Sequence, residues 1–263
     1  MIRTPLINVM TAAVLKAGRA LKRDFGEVSM LQVQRKGPGD FVSLADKRSE
    51  EILFEELSRV RPGYSFIMEE GGRVEGSDKS HTWHVDPLDG TTNFLHGIPQ
   101  FAVSVGLERD GQIVAGVIYN PANDELYVAE KGQGAYQNNQ RLRVSGRTDL
   151  YDAVIGCGIP AIGKGGHPQF LKELGAVMAK TAGIRRAGAA SLDMAYVAAG
   201  RLDAYWERGV KSWDVAAGVV LVREAGGFVA DLNGGDQFIS RGELVAGNEA
   251  IQADVLKLVK GAA

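Results

Sequence analysis

Cysteine is almost missing from this chain: Cys157 stands alone among 263 residues. No disulfide can close within the chain, and a reducing, cytoplasmic setting fits that usage. Long apolar runs are missing as well. Val215–Val222, the most apolar stretch of the second half, is far too short to span a bilayer. Met1-Ile2-Arg3-Thr4-Pro5 does not lead into the uninterrupted apolar segment of a signal peptide, so no membrane partner is expected. Charge of one sign is absent too. Thirty Lys and Arg stand against 32 Asp and Glu, a formal net charge of −2, with no long run of either sign. That balance gives no electrostatic reason to expect nucleic acid or an anionic membrane as a direct partner. The four histidines, His81, His84, His96 and His167, show no spacing typical of a zinc site. Internal repeats and low-complexity segments are also missing.

What is present is the composition of a soluble globular protein, 45% hydrophobic and 24% charged. Thirty-four glycines imply many tight turns, as in a layered protein of sheets and helices rather than a helical bundle. The stretch that organises the rest runs from Trp83 to Phe94: Trp-His-Val-Asp-Pro-Leu-Asp-Gly-Thr-Thr-Asn-Phe. A short apolar strand leads to Asp86 and Asp89, three positions apart around Pro87. Proline fixes its own φ and glycine admits conformations that a β-carbon forbids, so the two acids are expected to converge from a rigid loop at the strand end. Gly90-Thr91-Thr92 then opens a helix whose first turn offers free N–H groups. Carboxylates that hold a hard cation, beside amides that hold an anion, suit a metal-bound phosphate. An Asp-Gly turn with an ordinary helix cap reads the same stretch without chemistry, so further ligands must come from elsewhere.

In chain order, apolar positions from Leu6 to about Phe25 recur at helical spacing, with Lys16, Arg19, Lys22 and Arg23 mostly on the other face. Gln32–Lys36 alternates like a strand before a Gly37-Pro38-Gly39 turn, and Ser43 leads into a second amphipathic helix. Asp46 in its first turn reads as a cap. Tyr64–Met68 is strand-like, followed by Glu69-Glu70-Gly71-Gly72. Adjacent residues on a strand face opposite ways, so at most one of Glu69 and Glu70 is a direct ligand of a given metal, the other reaching it through water. Phe101–Glu108, Ile113–Tyr119 and Glu125–Ala129 are strand-like runs joined by Asp110-Gly111 and Asn120–Asn123, which makes that part of the sheet antiparallel. Composition shifts near Asp149, dividing one domain into halves of about 1–149 and 150–263. The second half alternates strand and helix, with helices expected near 169–180, 192–199, 213–224 and from Glu249.

Two further features carry chemical signals. Gly158–Lys164 has the spacing of a phosphate-binding P-loop, but Gly165 stands where the magnesium-binding hydroxyl is needed, which rejects that reading. Trp213-Asp214 puts another acid at a helix start, either as a cap or as an oxygen ligand from the far half, and Glu207 offers one more acid nearby.

Ile67–Glu70, Asp86–Asn93 and Trp213–Gly218, in that order, resemble the three signatures of the inositol monophosphatase family, and the match extends over nearly the whole chain. Arg186–Gly188, Ala195–Gly200 and Arg223–Gly227 are similar to its bacterial extragenic-suppressor subgroup. The resemblance implies an α+β fold: a layered αβαβα sandwich of the inositol monophosphatase / fructose-1,6-bisphosphatase type, usually a homodimer. It implies Mg²⁺-dependent hydrolysis of a small phosphate monoester, with Mn²⁺ as a possible substitute. By position, Glu69, Asp86, Asp89, Asp214 and the carbonyl of Leu88 are the implied metal ligands. Glu70 is implied to hold or activate the attacking water, with Thr91 and Asp46 a hydrogen-bonded pair beside it. The Gly90 and Thr91 amides are implied to hold the phosphate, and Gly188, Ala189, Ala190 and Glu207 to contact the polyol. Animal relatives carry threonine where Ala189 stands, so one polyol contact is lost here. The substrate implied is a phosphorylated polyol, first myo-inositol 1-phosphate. Alternatives are histidinol phosphate, fructose 1,6-bisphosphate, a 3′-phosphoadenosine nucleotide, or a protein-interaction role with transcription machinery.

The chemistry explains why so many acids are needed. A phosphate monoester dianion repels hydroxide, and its uncatalysed hydrolysis is among the slowest reactions known. Two or more cations about 4 Å apart can neutralise its oxygens, lower the pKa of water and stabilise the departing alkoxide. Ligands that are all oxygen select Mg²⁺ or Mn²⁺ over zinc or copper.

Overall fold

The computed structural model describes residues 4–26, 33–37 and 40–262. Gln32, Pro38 and Gly39, part of the first strand and turn expected above, lie outside those residues. Helix α1 (Pro5–Asp24) starts where the Thr4 hydroxyl accepts a hydrogen bond from the Ile7 amide at 3.2 Å, with Pro5 in the first turn. Its stripe of Ile7, Met10, Ala13, Val14, Ala17 and Leu21 is buried. Strands β1 (Val33–Gly37) and β2 (Asp40–Ser43) pair antiparallel and lead into α2 (Leu44–Val60). Asp46 closes a capping box there, its Oδ2 accepting from the Ser43 amide at 2.8 Å and hydroxyl at 2.6 Å.

The main sheet comprises β3 (Ser65–Met68), β4 (Gly72–Val74), β5 (His81–Asp89), β6 (Ala102–Arg109), β7 (Gln112–Asn120), β8 (Glu125–Glu130), β9 (Gly134–Gln137) and β10 (Gln140–Arg141). Its order is β10-β9-β8-β7-β6-β5-β3-β4, antiparallel except where β3 runs parallel to β5. Positive φ at Asp110 and Gly111, and again at Asn138 and Asn139, gives the tight hairpins that a right-twisted sheet prefers. The second sheet has order β12-β11-β13-β15-β14, from β11 (Val154–Cys157), β12 (Gly183–Arg185), β13 (Ala204–Arg208), β14 (Phe228–Ala230) and β15 (Glu243–Gly247). Between and around these lie α3 (Thr91–Leu95), α4 (His167–Met178), α5 (Ala190–Ala198), α6 (Ser212–Glu224), α7 (Phe238–Arg241) and α8 (Glu249–Gly261).

Five layers result. Helices α1 and α2 cover one face of the main sheet, α5 and α6 lie between the two sheets, and α4 with α8 cover the outer face of the second. The layered αβαβα arrangement expected from the sequence is the one observed. Close packing of α6 matters most for the site. Gly106 and Gly116 are cross-strand partners on β6 and β7. A Cβ on Gly106 would stand 2.7 Å from the Ala216 Cβ, and one on Gly116 2.7 Å from the Ala217 Cα. The opposite side of α6 is equally tight, since a Cβ on Gly218 would meet Met194 at 2.6 Å. Glycine at these three places lets α6 settle onto the sheet, and Asp214 in its first turn is carried to the end of β5.

One local expectation changes. Pro87 and Leu88 continue β5 rather than forming a loop after it, and the pairing with β6 shifts register between Asp86 and Asp89. The irregularity absorbs a residue that has no N–H to give to a ladder.

Candidate active site

One cavity gathers most of the acids singled out above. Glu69 from the end of β3, Asp86 and Asp89 from β5, Asp214 from α6 and Glu207 from β13 all line it. So do Leu88, Gly90, Thr91, Gly188, Ala189 and Ala190. Backbone groups fix the carboxylates. Asp86 Oδ1 accepts from the Leu88 amide at 3.0 Å, and Asp214 Oδ2 from the Lys211 amide at 2.6 Å. Asp89 Oδ2 accepts from the Ser191 amide at 2.7 Å and hydroxyl at 2.5 Å, which ties β5 to the start of α5. Asp214 is therefore a helix cap and a cavity acid together.

Asp46 is fully buried and reaches the cavity through another side chain: its Oδ1 accepts from the Thr91 hydroxyl at 3.0 Å. Glu70 is placed differently. It lines the adjoining groove with Lys47, Glu50 and Met68, and its amide donates to Glu50 Oε2 at 2.8 Å. In the turn that follows β3, Glu69 lines the cavity and Glu70 does not. Gly90 takes φ +86° at the start of α3, and a Cβ there would stand 2.8 Å from the Gln100 carbonyl and 3.3 Å from the Gly188 carbonyl. Only glycine fits that corner.

Charge is concentrated. Burial first, then Glu69, Asp89 and Asp214, hold the Asp86 carboxyl well above the usual carboxylate range. Asp214 is raised by burial and then by Asp89, Glu69 and Glu207, with its backbone hydrogen bond opposing the shift. Asp89 is pushed up to about 6 by burial, against the opposing bonds from Ser191 and Ala190. Glu207, with Tyr205 donating to it, is pushed to about 7 by burial and by Asp89. Asp86 and Glu69 share a hydrogen bond. Among the described residues no three acid, histidine or cysteine side chains already form a closed metal cage. The donor set still fits a hard divalent cation. Buried like charges need a positive partner, and Arg186, the one guanidinium among the described residues that line this cavity, acts on Asp193 and Glu207.

Sequence reasoning missed four lining residues: Cys157, Gly158, Arg186 and Asp193. Gly158 is the first glycine of the rejected P-loop. Its role is spatial, because a Cβ there would collide with the Glu207 carboxyl at 1.8 Å. Arg186 belongs to a segment noted only for its resemblance. Asp193, in the first turn of α5, carried no signal that separates it from a helix-stabilising acid.

The sequence profile of the inositol monophosphatase family matches residues 3–262. The chain belongs to that family. Members with similar sequences include a Mesorhizobium japonicum protein named inositol-1-monophosphatase, 63% identical over 99% of this chain and 98% of its own. A Pseudomonas aeruginosa protein named Nus factor SuhB is 42% identical over 93% of this chain and 92% of its own. Among solved structures, the extragenic suppressor protein suhB of Bartonella henselae superposes with a TM-score of 0.95 at 54% identity, covering 98% of this chain and 99% of that one. As an inositol monophosphatase family member the chain is an enzyme, a phosphatase, and its layered sandwich is the fold of that family.

Proposed function

We propose that this protein hydrolyses myo-inositol 1-phosphate to inositol and inorganic phosphate with the help of Mg²⁺, for which Mn²⁺ can substitute. The observation that carries the reading is the convergence of Glu69, Asp86, Asp89 and Asp214 on one cavity next to the Thr91–Asp46 pair. Glu69, Asp86, Asp89, Asp214 and the Leu88 carbonyl would hold the cations. Bound there, Mg²⁺ would neutralise phosphate oxygens, acidify a water and stabilise the leaving alkoxide.

The chain's own groups supply position. The Gly90 and Thr91 amides, at the corner that only glycine fits, hold the phosphate. The Thr91 hydroxyl, fixed by Asp46, accepts a hydrogen bond from the attacking water and aligns it. Glu70, turned to the adjoining groove, acts on that water only through a second water. Gly188, Ala189, Ala190 and Glu207 face the polyol, with Ala189 giving apolar contact alone. The protein works as a homodimer in the cytoplasm in this reading. Among the described residues no helix is long and apolar enough to cross a membrane.

A panel of phosphate esters assayed with Mg²⁺ tests the substrate: inositol 1-phosphate, histidinol phosphate, fructose 1,6-bisphosphate and a 3′-phosphoadenosine nucleotide. The largest kcat/KM belongs to inositol 1-phosphate. A larger value for another ester moves the substrate, and no turnover of any ester overturns the reading. A second role, contact with transcription machinery, is favoured by the relative named as a Nus factor. Retention of transcription proteins on this chain in a lysate pull-down tests it.

A further inference from the structure

His84 is 1% exposed, and both of its ring nitrogens are engaged. Nδ1 lies 2.8 Å from the Ser212 hydroxyl oxygen, and Nε2 lies 3.1 Å from Glu108 Oε2. The contact with Ser212 joins residues 128 positions apart, β5 of the first half to the first residue of α6 in the second. An ionised carboxylate only accepts, so Nε2 carries a proton toward Glu108, and Nδ1 of the neutral ring accepts from Ser212. The bond from His84 holds the Glu108 carboxyl below its ordinary range, with burial opposing it.

The strands explain how one ring meets both partners. Gly106 is the cross-strand partner of His84 and brings no side chain, and Glu108 is the diagonal neighbour on β6. His84 and Asp86 stand two apart on a regular part of β5, so they share the face turned to α6. Val85 between them packs with the α1 and α2 side. On α6, Ser212 and Asp214 are likewise two apart, in the first turn. Asp214 in turn acts electrostatically on Asp86. Two rungs therefore cross from β5 to α6: a hydrogen bond between His84 and Ser212, and a pair of like charges at Asp86 and Asp214. The second rung is repulsive, so another contact must hold it. Farther along α6, Ala216 and Ala217 rest on Gly106 and Gly116, contacts between small groups that carry no direction. Just before α6, the Gly209 and Val210 amides donate to the Gly242 carbonyl at 2.7 and 3.1 Å, which ties that segment to the second half. The directional bond from the first turn back to β5 is the one to His84.

We propose that His84, oriented by Glu108, is a positioning residue for the cation site: through Ser212 it holds Asp214 opposite Asp86, so that acids from the two halves present their oxygens to one cation. The proposal rests on the metal-dependent reading of the cavity and extends it to three residues that do not line it. His84 touches neither substrate nor cation in this role. Partners that orient metal-binding side chains commonly carry a factor of about 10 to 100 in metal affinity.

Calorimetric titration of the full chain with Mg²⁺, without substrate, tests this beside thermal melting in EDTA. The variants are Ser212→Ala, Ser212→Thr, His84→Leu and the double variant Ser212→Ala with His84→Leu. Ser212→Ala should raise the Kd for Mg²⁺ about tenfold or more. Ser212→Thr keeps the hydroxyl and should stay within about twofold of the unaltered chain. His84→Leu should match Ser212→Ala, and the double variant should bind no more weakly than either single one, because one bond is lost in all three. Ser212 is half-buried, so Ser212→Ala carries the test alone if His84→Leu fails to fold. Unchanged Mg²⁺ affinity in Ser212→Ala overturns the proposal even if the melting temperature falls, since the bond would then be structural only. Additive losses in the double variant, or an equal loss in Ser212→Thr, overturn it too. Failure of the unaltered chain to bind Mg²⁺ would instead strike the metal-dependent reading of the cavity, and this role with it.

Discussion

The Thr91 hydroxyl oxygen lies 3.0 Å from Asp46 Oδ1 and 3.0 Å from the carbonyl oxygen of Leu88. A hydroxyl has one proton to donate and lone pairs that accept. Were the Leu88 carbonyl to hold a cation, as proposed above, the proton would go to Asp46 and a lone pair would be left to receive a water. Asp46 divides its work between two oxygens. Oδ2 caps α2 through Ser43, while Oδ1 holds Thr91. Burial lifts its carboxyl above the ordinary range, and the Ser43 and Thr91 hydrogen bonds oppose the lift. One carboxyl thus caps α2 and holds the Thr91 hydroxyl.

Thr91→Ala should therefore lower kcat on the order of 10²- to 10⁴-fold, the usual range for a lost acid–base or water-orienting group, with little change in KM. Steady-state kinetics beside Thr148→Ala, an exposed threonine, makes the check. Equal effects from the two substitutions would reduce Asp46 to a cap.

Packing gives a prediction with two signs. Gly116→Ala puts a methyl group against the backbone of α6 and should destabilise by about 1–3 kcal/mol through overpacking. Gly175, inside α4, has nothing within 4 Å of a built Cβ. Gly175→Ala should stabilise by about 0.5–1 kcal/mol, the usual gain when alanine replaces glycine within a helix. Denaturant melts of the two variants compare them directly. Matching shifts of one sign would mean that the closeness of α6 to the sheet is unimportant.

Cys157 should be inert. Burial, with Asp193 and Glu207 adding to it, pushes its thiol up to about 12, and the thiolate is the reactive form. At pH 8 the native protein should resist iodoacetamide for hours and react promptly once unfolded. Mass spectrometry after labelling reads this out. Native labelling at the rate of a free thiol would contradict the burial of Cys157, which is 2% exposed.

Much of this was legible in the sequence because it is local. The apolar stripe of α1, the hairpin at Asp110-Gly111 and the grouping of Asp86, Asp89, Gly90 and Thr91 each depend on residues a few positions apart. What escaped depends on packing between distant segments. Gly106, Gly116 and Gly218 look like ordinary glycines until α6 is laid between β6–β7 and α5. Asp193 looks like any acid in a first turn until β11 brings Gly156 beside it. Pro87 reads as a strand breaker, yet a register shift in the pairing keeps it within β5.

Lithium should inhibit at millimolar concentration, and the inhibition should depend on Mg²⁺ occupancy. The ion takes oxygen ligands as Mg²⁺ does but brings half the charge, so held by the same acids it would retain phosphate without supporting the next turnover. Uncompetitive or mixed inhibition against substrate is the pattern expected in initial-rate plots. An absence of inhibition while Mg²⁺ is limiting would mean a different arrangement of metal positions.

The most direct test of the account is phosphate release from inositol 1-phosphate as Mg²⁺ is titrated, for the unaltered chain, Asp86→Asn and Asp214→Asn. The two substitutions come from opposite halves of the chain and remove one charged oxygen each from the same cavity. Turnover should rise from nothing with Mg²⁺ in the unaltered protein and vanish with EDTA. Both variants should stay nearly inactive at saturating Mg²⁺, yet melt no lower than the unaltered protein without metal, because repulsion among the acids is relieved. Near-normal turnover by either variant at saturating Mg²⁺, or turnover that persists in EDTA, would contradict the claim that these acids hold the catalytic cations.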